Sequence, residues 1–375
     1  MPDSKSETLL GLDLKELTTL VERAEQPHYR ARQLFDALYR QRVQSTAEIS
    51  TIPGEFRRNL EDQGLSVGRP AIEKKFLSQD GTVRYLIQFA DGQSVETVWM
   101  PEGDDGEAGD GSEAGDDVER SAGLRRSRAT ICVSSQVGCA VDCQFCMTAL
   151  LGIKRNLSAG EIVGQICAVL NDQRVSPPQE RVNLVFMGMG EPFLNYENLM
   201  KAVGLLVEGV GIPVPRMTVS TAGIVPRIYD FGQEEVRPKL AISLNASNDE
   251  LRTRLMPINH KWNLEKLLAA ARDFPLRKRE RLTFEYVLLN EVNDGRQNAR
   301  EVVDLVRGLR AKVNLIALNP GPEIGFNMPS EKRVLEFQKE LRTANIPTFI
   351  RKPRGRDIFA ACGQLKRTAE LVTLS

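Results

Sequence analysis

Cys139, Cys143 and Cys146 form C-x3-C-x2-C within the string SSQVGCAVDCQFCMT. Three closely spaced thiolates can converge on one soft metal centre. A structural zinc site asks for a fourth ligand, and most iron–sulfur clusters take four cysteines. No fourth ligand is near, and His28 and His260 are remote and fall in no metal-ligand spacing. A three-ligand cluster leaves one iron open to an exogenous chelator. On spacing alone, a zinc knuckle and three free thiols stay open as alternatives. Phe145, inside the motif, is placed to shield a cluster from water.

Other chemistry-bearing residues sit where strand-like runs end. Gly188-Met189-Gly190-Glu191-Pro192 follows the apolar run NLVFM. Glycines there let a backbone approach a ligand, and an acidic side chain can accept from an ammonium. Ser220 ends the run in TVSTAG, Ser243-Leu244-Asn245 ends the next, and Asn319 ends the one in LIALNP. Small polar side chains suit ribose, carboxylate and adenine contacts; taken singly, each reads as a cap or turn residue. Cys132 lies before the triplet and Cys362 near the C-terminus, and the ordinary reading of each is a small buried hydrophobe. Cys167, in GEIVGQICAVL, reads as core. Glu96, in SVETVWMP, reads as a solvated charge on a strand.

These residues need a frame. From about 128 onward, runs at 129–135, 182–187, 217–221, 240–244, 282–289, 313–318 and 347–350 read as strands. Helical patterns near 158–172, 195–208, 262–273, 295–310 and 330–344 alternate with them. Such alternation implies an α/β fold of parallel strands and crossover helices, as an open sheet or a full or partial barrel, with reactive groups at the C-terminal strand ends. Residues 1–63 read as a helical unit, with Arg30, Arg32, Arg40, Arg42, Arg57 and Arg58 along it as a solvated face or an RNA contact. Within 64–101, Thr82–Phe89 alternates, Asp91-Gly92 turns, and Ser94–Trp99 follows, a β-hairpin. The catalytic frame then spans 125–375.

The segment 102–124 is acidic and Gly-rich, and is expected to be a disordered insertion. Residues 102–119 hold nine acids and no bases, so the zero net charge conceals a remainder with 50 bases against 41 acids. That mild excess permits a nucleic-acid partner. No stretch approaches ~18 consecutive apolar residues, so no membrane span is expected. The N-terminus lacks a basic start followed by an apolar run, which places the six cysteines in a reducing, cytoplasmic setting.

The spacing with an aromatic before the last cysteine resembles the radical S-adenosylmethionine (SAM) superfamily. The longer string ICVSSQVGCAVDCQFCMTALLGIKRNLSAGEI is similar to the RNA adenine methyltransferases of the RlmN and Cfr type, as are VETVWMP, FMGMGEP, VSTAG, AISLNASNDELR, LMPIN, ALNPGP and RGRDIFAACGQL. The resemblance covers the chain outside the insertion and both termini. It implies a partial (βα)6-type barrel with an N-terminal helical domain and a β-hairpin extension. It implies one [4Fe-4S] cluster on Cys139, Cys143 and Cys146, and two SAM molecules per turnover. SAM contacts fall on Gly190, Glu191, Ser220, Ser243, Leu244, Asn245 and Asn319. The family usually reads S-L-H where this chain has Ser243-Leu244-Asn245, and Asn cannot titrate near neutral pH.

By the same resemblance, Cys362 is methylated during turnover, Glu96 removes the carbon 2 proton, and Cys132 resolves a protein–RNA adduct through a transient disulfide with Cys362. The implied partners are 23S rRNA and tRNA, an electron donor for the cluster and a thiol reductant, with the protein a monomer. Two other readings are a Cfr-like methylase acting at adenine carbon 8, and a non-catalytic, zinc-holding RNA-binding module. Arg277-Lys278-Arg279 and the set Arg351, Lys352, Arg354 and Arg356 are candidate backbone contacts, the latter because it abuts Cys362.

Overall fold

The structure, a computed structural model, describes residues 8–101 and 128–366. The acidic segment therefore lies outside the described residues. The chain starts with helices α1 (Leu14–Arg23), α2 (Tyr29–Asp36) and α3 (Gly54–Asp62). Asp13 and Glu16 form a capping box that starts α1, satisfying amides that the first turn leaves without partners. Leu17, Val21, Leu34, Phe35 and Leu60 are buried, each contributing about 1.5–3 kcal/mol on burial. The Tyr39 hydroxyl receives the Gly11 N–H (2.9 Å) and donates to the Leu12 carbonyl (2.8 Å).

Three antiparallel strands follow: β1 (Ala71–Leu77), β2 (Val83–Gln88) and β3 (Ser94–Pro101). The expected two-stranded hairpin thus has a third member. β4 (Arg128–Cys132) pairs antiparallel with β3 and parallel with a later strand. β5 (Gln136–Gly138) and β6 (Ile153–Asn156) make a separate small hairpin. Then come α4 (Ala159–Asp172), β7 (Arg181–Phe186), α5 (Tyr196–Leu205), β8 (Met217–Thr221), α6 (Val225–Gln233) and β9 (Lys239–Ser243). They are followed by α7 (Asp249–Leu255), α8 (Leu264–Asp273), β10 (Leu282–Leu288), α9 (Arg296–Val306), β11 (Ala311–Ala317), α10 (Glu331–Thr343) and β12 (Thr348–Ile350).

One sheet holds ten of these strands in the order β1-β2-β3-β4-β7-β8-β9-β10-β11-β12. From β4 to β12 every neighbour is parallel, so each connection crosses over through at least one helix. Six strand–helix units with a short closing strand match the expected α/β partial barrel. The sequence-based strand limits were off by one to three residues at several ends, and α6 and α7 were not foreseen.

Alternation sorts the side chains. On β2 and β3, Tyr85 and Thr97 face α4: the Tyr85 hydroxyl donates to Asp172 (2.8 Å) and the Thr97 hydroxyl to Gln165 (2.9 Å). Arg84, Glu96 and Val98 therefore face inward, and the pairing of Val98 with Cys132 puts Cys132 on that same face. Register carries the inner face on through Ser220, Ser243 and Glu285.

Candidate active site

The small β5–β6 hairpin frames the loop that carries the three cysteines. Its backbone is pinned at several points: Cys139 N–H to the Gly152 carbonyl (3.2 Å), Cys146 N–H to Cys143 (3.1 Å), and Gln144 N–H to Leu255 at the end of α7 (3.0 Å). Met147 N–H donates to the carbonyl of Gly363 (2.8 Å), which ties this loop to the segment holding Cys362. Phe145 packs with Val141, Leu255, Met256 and Leu318, and Cys139 and Cys143 lie against that cluster.

Cys139, Cys143 and Cys146 line one cavity. Gly190, Glu191, Ser220, Ser243, Asn245 and Asn319 line it from the strand ends, and Cys362 from the C-terminal segment. Burial pushes the Cys139 thiol up to about 12 and holds the Cys143 thiol well above its ordinary value. Such thiols ionise readily only against a cationic centre. Among the described residues no three His, Cys, Asp or Glu side chains gather tightly enough for a single metal ion. A four-iron cluster makes a different demand, since each thiolate takes its own iron. Three soft donors on one loop at the cavity fit that group, while the fourth thiol there, Cys362, comes from a different segment of the chain.

Gly190 has a positive φ of 100°, and a Cβ there would stand 2.6 Å from the Gln136 side chain. Only glycine brings this turn so close to the chain leading into the cysteine loop. Glu191 is buried, and burial pushes its carboxyl up to about 7. Its two oxygens accept from Phe193 N–H (3.0 Å) and Ala222 N–H (2.7 Å). The side chain joins the ends of β7 and β8, a role in addition to the ammonium contact read from sequence.

The Ser220 and Ser243 hydroxyls lie 3.4 Å apart. Asn245 has a left-handed backbone (φ 54°), a conformation Asn tolerates better than most residues. Its Oδ1 accepts from Val287 N–H (2.9 Å), and its carbonyl accepts from Asn293 (2.9 Å). The Leu244 side chain is buried in the core, so only its backbone can serve the cavity. Asn319 donates to the Cys362 carbonyl (3.3 Å) and leaves its buried Oδ1 without a partner, an acceptor available to a ligand.

The Cys362 thiol is open to the cavity although protein surrounds it. Burial pushes it up, and the Arg351 guanidinium acts in the opposite direction. Cys132 is buried at the end of β4, where burial raises its thiol first and the nearby Cys362 adds to the shift. Glu96 is not the solvated charge that its sequence context suggested. It is 1% exposed, and its partner Arg84 is 0% exposed. One oxygen takes the Arg84 guanidinium and the other accepts Lys366 N–H (2.9 Å). Neither Cys132 nor Glu96 lines the cavity itself; both stand on the inner face beside it.

Sequence reasoning overlooked Arg252. Fully buried, it donates to the carbonyls of Leu244 (3.2 Å), Ala222 (2.7 Å) and Ser243 (3.2 Å), and so ties the ends of β8 and β9 together. It stands in the quoted string AISLNASNDELR, but a lone arginine in a helix carries no signal of burial. Several candidate RNA contacts are otherwise engaged: Arg42 bonds Asn171 (2.7 Å) and the Val175 carbonyl (3.0 Å), and Arg277 bonds the Arg237 carbonyl (2.9 Å).

Residues 133–306 match the model of the Radical SAM superfamily. The chain is 68% identical over 355 residues to the "Probable dual-specificity RNA methyltransferase RlmN" of Koribacter versatilis, covering 95% of this chain and all of that one. It is 43% identical to the dual-specificity RNA methyltransferase RlmN of Syntrophobacter fumaroxidans, over 94% of this chain and 96% of that one. The crystal structure of a radical SAM methyltransferase from Sphaerobacter thermophilus superposes with a TM-score of 0.85 at 40% identity, covering 96% of this chain and 99% of that one.

Proposed function

Because the chain belongs to the RlmN family of radical SAM RNA methyltransferases, we propose that it methylates carbon 2 of an adenosine in 23S rRNA and in the anticodon loop of tRNA. One observation carries the reading: Cys362 opens into the same cavity that Cys139, Cys143 and Cys146 line. A methyl carrier on Cys362 and a cluster on the other three would then share one chamber with SAM.

Ring carbon 2 lies between two nitrogens and is electron-poor, so it will not attack a methyl sulfonium; a carbon radical can add to it. A cluster held by Cys139, Cys143 and Cys146 would supply the electron that cleaves SAM and so starts the radical chemistry. Everything else falls to this chain. Gly190, Ser220, Ser243, the Leu244 backbone, Asn245 and Asn319 hold the SAM ribose, adenine and carboxylate, and Glu191 takes the ammonium. Cys362 first accepts a methyl group as a thiolate, losing its proton. After a hydrogen atom is taken from that methyl, the Cys362 methylene joins carbon 2. Glu96 removes the ring proton as the adduct gives back the one electron that SAM cleavage consumed. The Cys132 thiolate attacks the Cys362 sulfur and breaks its bond to the methylene, which takes up a proton to become the methyl group of the departing base. An external thiol reduces the resulting disulfide, which suits a cytoplasmic monomer served by a separate electron donor. Two SAM molecules are consumed per cycle, with one cluster per chain.

The target base must be unstacked to expose this ring edge. Digestion of rRNA and tRNA after expression in a host lacking the modification, followed by mass spectrometry, tests the reading. 2-Methyladenosine in either RNA is expected; 8-methyladenosine would shift the assignment to carbon 8, and no methylation would overturn it.

A further inference from the structure

Two turns far apart in sequence grip one another beside the site. One is the β1–β2 turn, residues 78–82; the other is the loop at 355–358 that leads into Cys362. Asp357 reaches across with both oxygens, taking the Ser78 hydroxyl (2.6 Å) and Gln79 N–H (3.2 Å). Asp80 reaches the other way and accepts Gly355 N–H (3.0 Å), while its second oxygen takes Thr82 N–H (2.9 Å). Each turn therefore lends a carboxylate to the backbone of itself or its partner. Gly355 is left-handed (φ 60°), and a Cβ there would stand 2.9 Å from the Thr82 methyl, so the two turns are in close approach.

Beyond Cys362 the same segment is held to other parts of the site. Gly363 accepts from Met147, Leu365 accepts from the Thr148 hydroxyl (2.7 Å), and Lys366 N–H reaches Glu96 (2.9 Å). Those contacts lie after the cysteine, and Asn319 holds the Cys362 carbonyl itself. Before it, Ile358 packs into the core, Arg356 reaches the Met328 sulfur (2.9 Å), and the two aspartates tie the loop to the β1–β2 turn. Glu96 rides on the same three-stranded unit as Asp80.

We propose that Asp80 and Asp357 are positioning residues. They clasp the turn of the β1–β3 unit to the Cys362 loop, and so set where the methyl carrier lies relative to Glu96 and Cys132. The proposal rests on the role given above to Cys362. Both aspartates are exposed, and exposed polar contacts contribute little to global stability. Their loss should free the loop without unfolding the protein.

The test uses the anaerobically reconstituted holoenzyme with Asp357→Ala, Asp80→Ala and the milder Ser78→Ala and Asp357→Asn. Alkylation of Cys362 by iodoacetamide, read by peptide mass spectrometry, should quicken roughly tenfold in the alanine variants at the aspartates. It should quicken less in Ser78→Ala and Asp357→Asn, at an unchanged melting temperature. During turnover, more 5′-deoxyadenosine should form per methylated adenosine, because radical generation survives while the carrier is misplaced. Wild-type alkylation rates and coupling in the folded variants would overturn the clasp. If Asp357→Ala does not fold, the Ser78→Ala and Asp357→Asn rates decide. If wild-type Cys362 never carries a methyl group, the functional reading fails, and the alkylation rates still judge the clasp.

Discussion

Glu96 and Cys132 are diagonal neighbours across the β3–β4 ladder: Val98 stands opposite Cys132, and Glu96 lies one pleat along on the same face. Diagonal neighbours in an antiparallel pair are about 7–8 Å apart. In the proposed cycle, that separation would let the carboxylate and the thiol address the two ends of one adduct, the ring hydrogen and the linking sulfur, from a single wall.

Cys132→Ala should block release while leaving methylation of Cys362 and addition to RNA intact. The protein should then be purified from cells covalently joined to RNA. Cys362→Ala, and the double variant, should form no adduct. Denaturing gels with and without ribonuclease read the result; full turnover by Cys132→Ala with no adduct would remove the resolving role.

Cys143→Ala should lose most of its iron and sulfide on anaerobic reconstitution and all methylation. Cys143 is half-buried in the loop, against the small cluster that holds Phe145, and Cys167 lies away in α4. Iron and sulfide assays with the visible spectrum check this; a full cluster in the variant contradicts it.

Arg84→Met should destabilise the fold by about 3–5 kcal/mol, the cost of stranding a buried charge. Arg84→Met combined with Glu96→Gln should lose less, since neither charge remains. Glu96→Gln should lower methyl transfer to RNA by roughly 10²–10⁴-fold while Cys362 is still methylated. Urea unfolding and single-turnover assays separate these effects.

Much of the site was legible because its chemistry is local: three cysteines within eight residues, glycines at a strand end, small polar residues at others. What escaped depends on distant partners. Glu96 alternates with apolar neighbours and so resembles a solvent-facing residue; period 2 reveals that there are two faces but not what covers each. Here the inner face is closed by Arg84 and by Lys366 from the far end of the chain. β1 (AIEKKFL) was missed because an edge strand rich in lysine carries little alternation, and five of its seven residues are exposed. β5 is only three residues long, too short for any period to show.

Deleting residues 104–122 should leave methylation largely intact. Pro101 and Ala129 are register partners across β3 and β4, so residues 102–103 and 123–127 suffice to join the strands. Removing acidic charge should also tighten RNA binding and steepen its salt dependence. Filter binding at several salt concentrations, with turnover assays, checks both; loss of activity in a folded deletion protein assigns the segment a role.

The sheet has two ends, β1 and β12, and the meeting of the 78–82 turn with the 355–358 loop draws them towards each other through side chains rather than a strand ladder. Within a ladder, neighbouring strands keep a spacing of about 4.8 Å, so a fully hydrogen-bonded barrel can change girth only by gaining or losing whole strands. A seam bridged by carboxylates obeys no such quantum. Its width is set by the reach of two aspartate side chains, so the two ends of the sheet stand at a spacing that no ladder imposes.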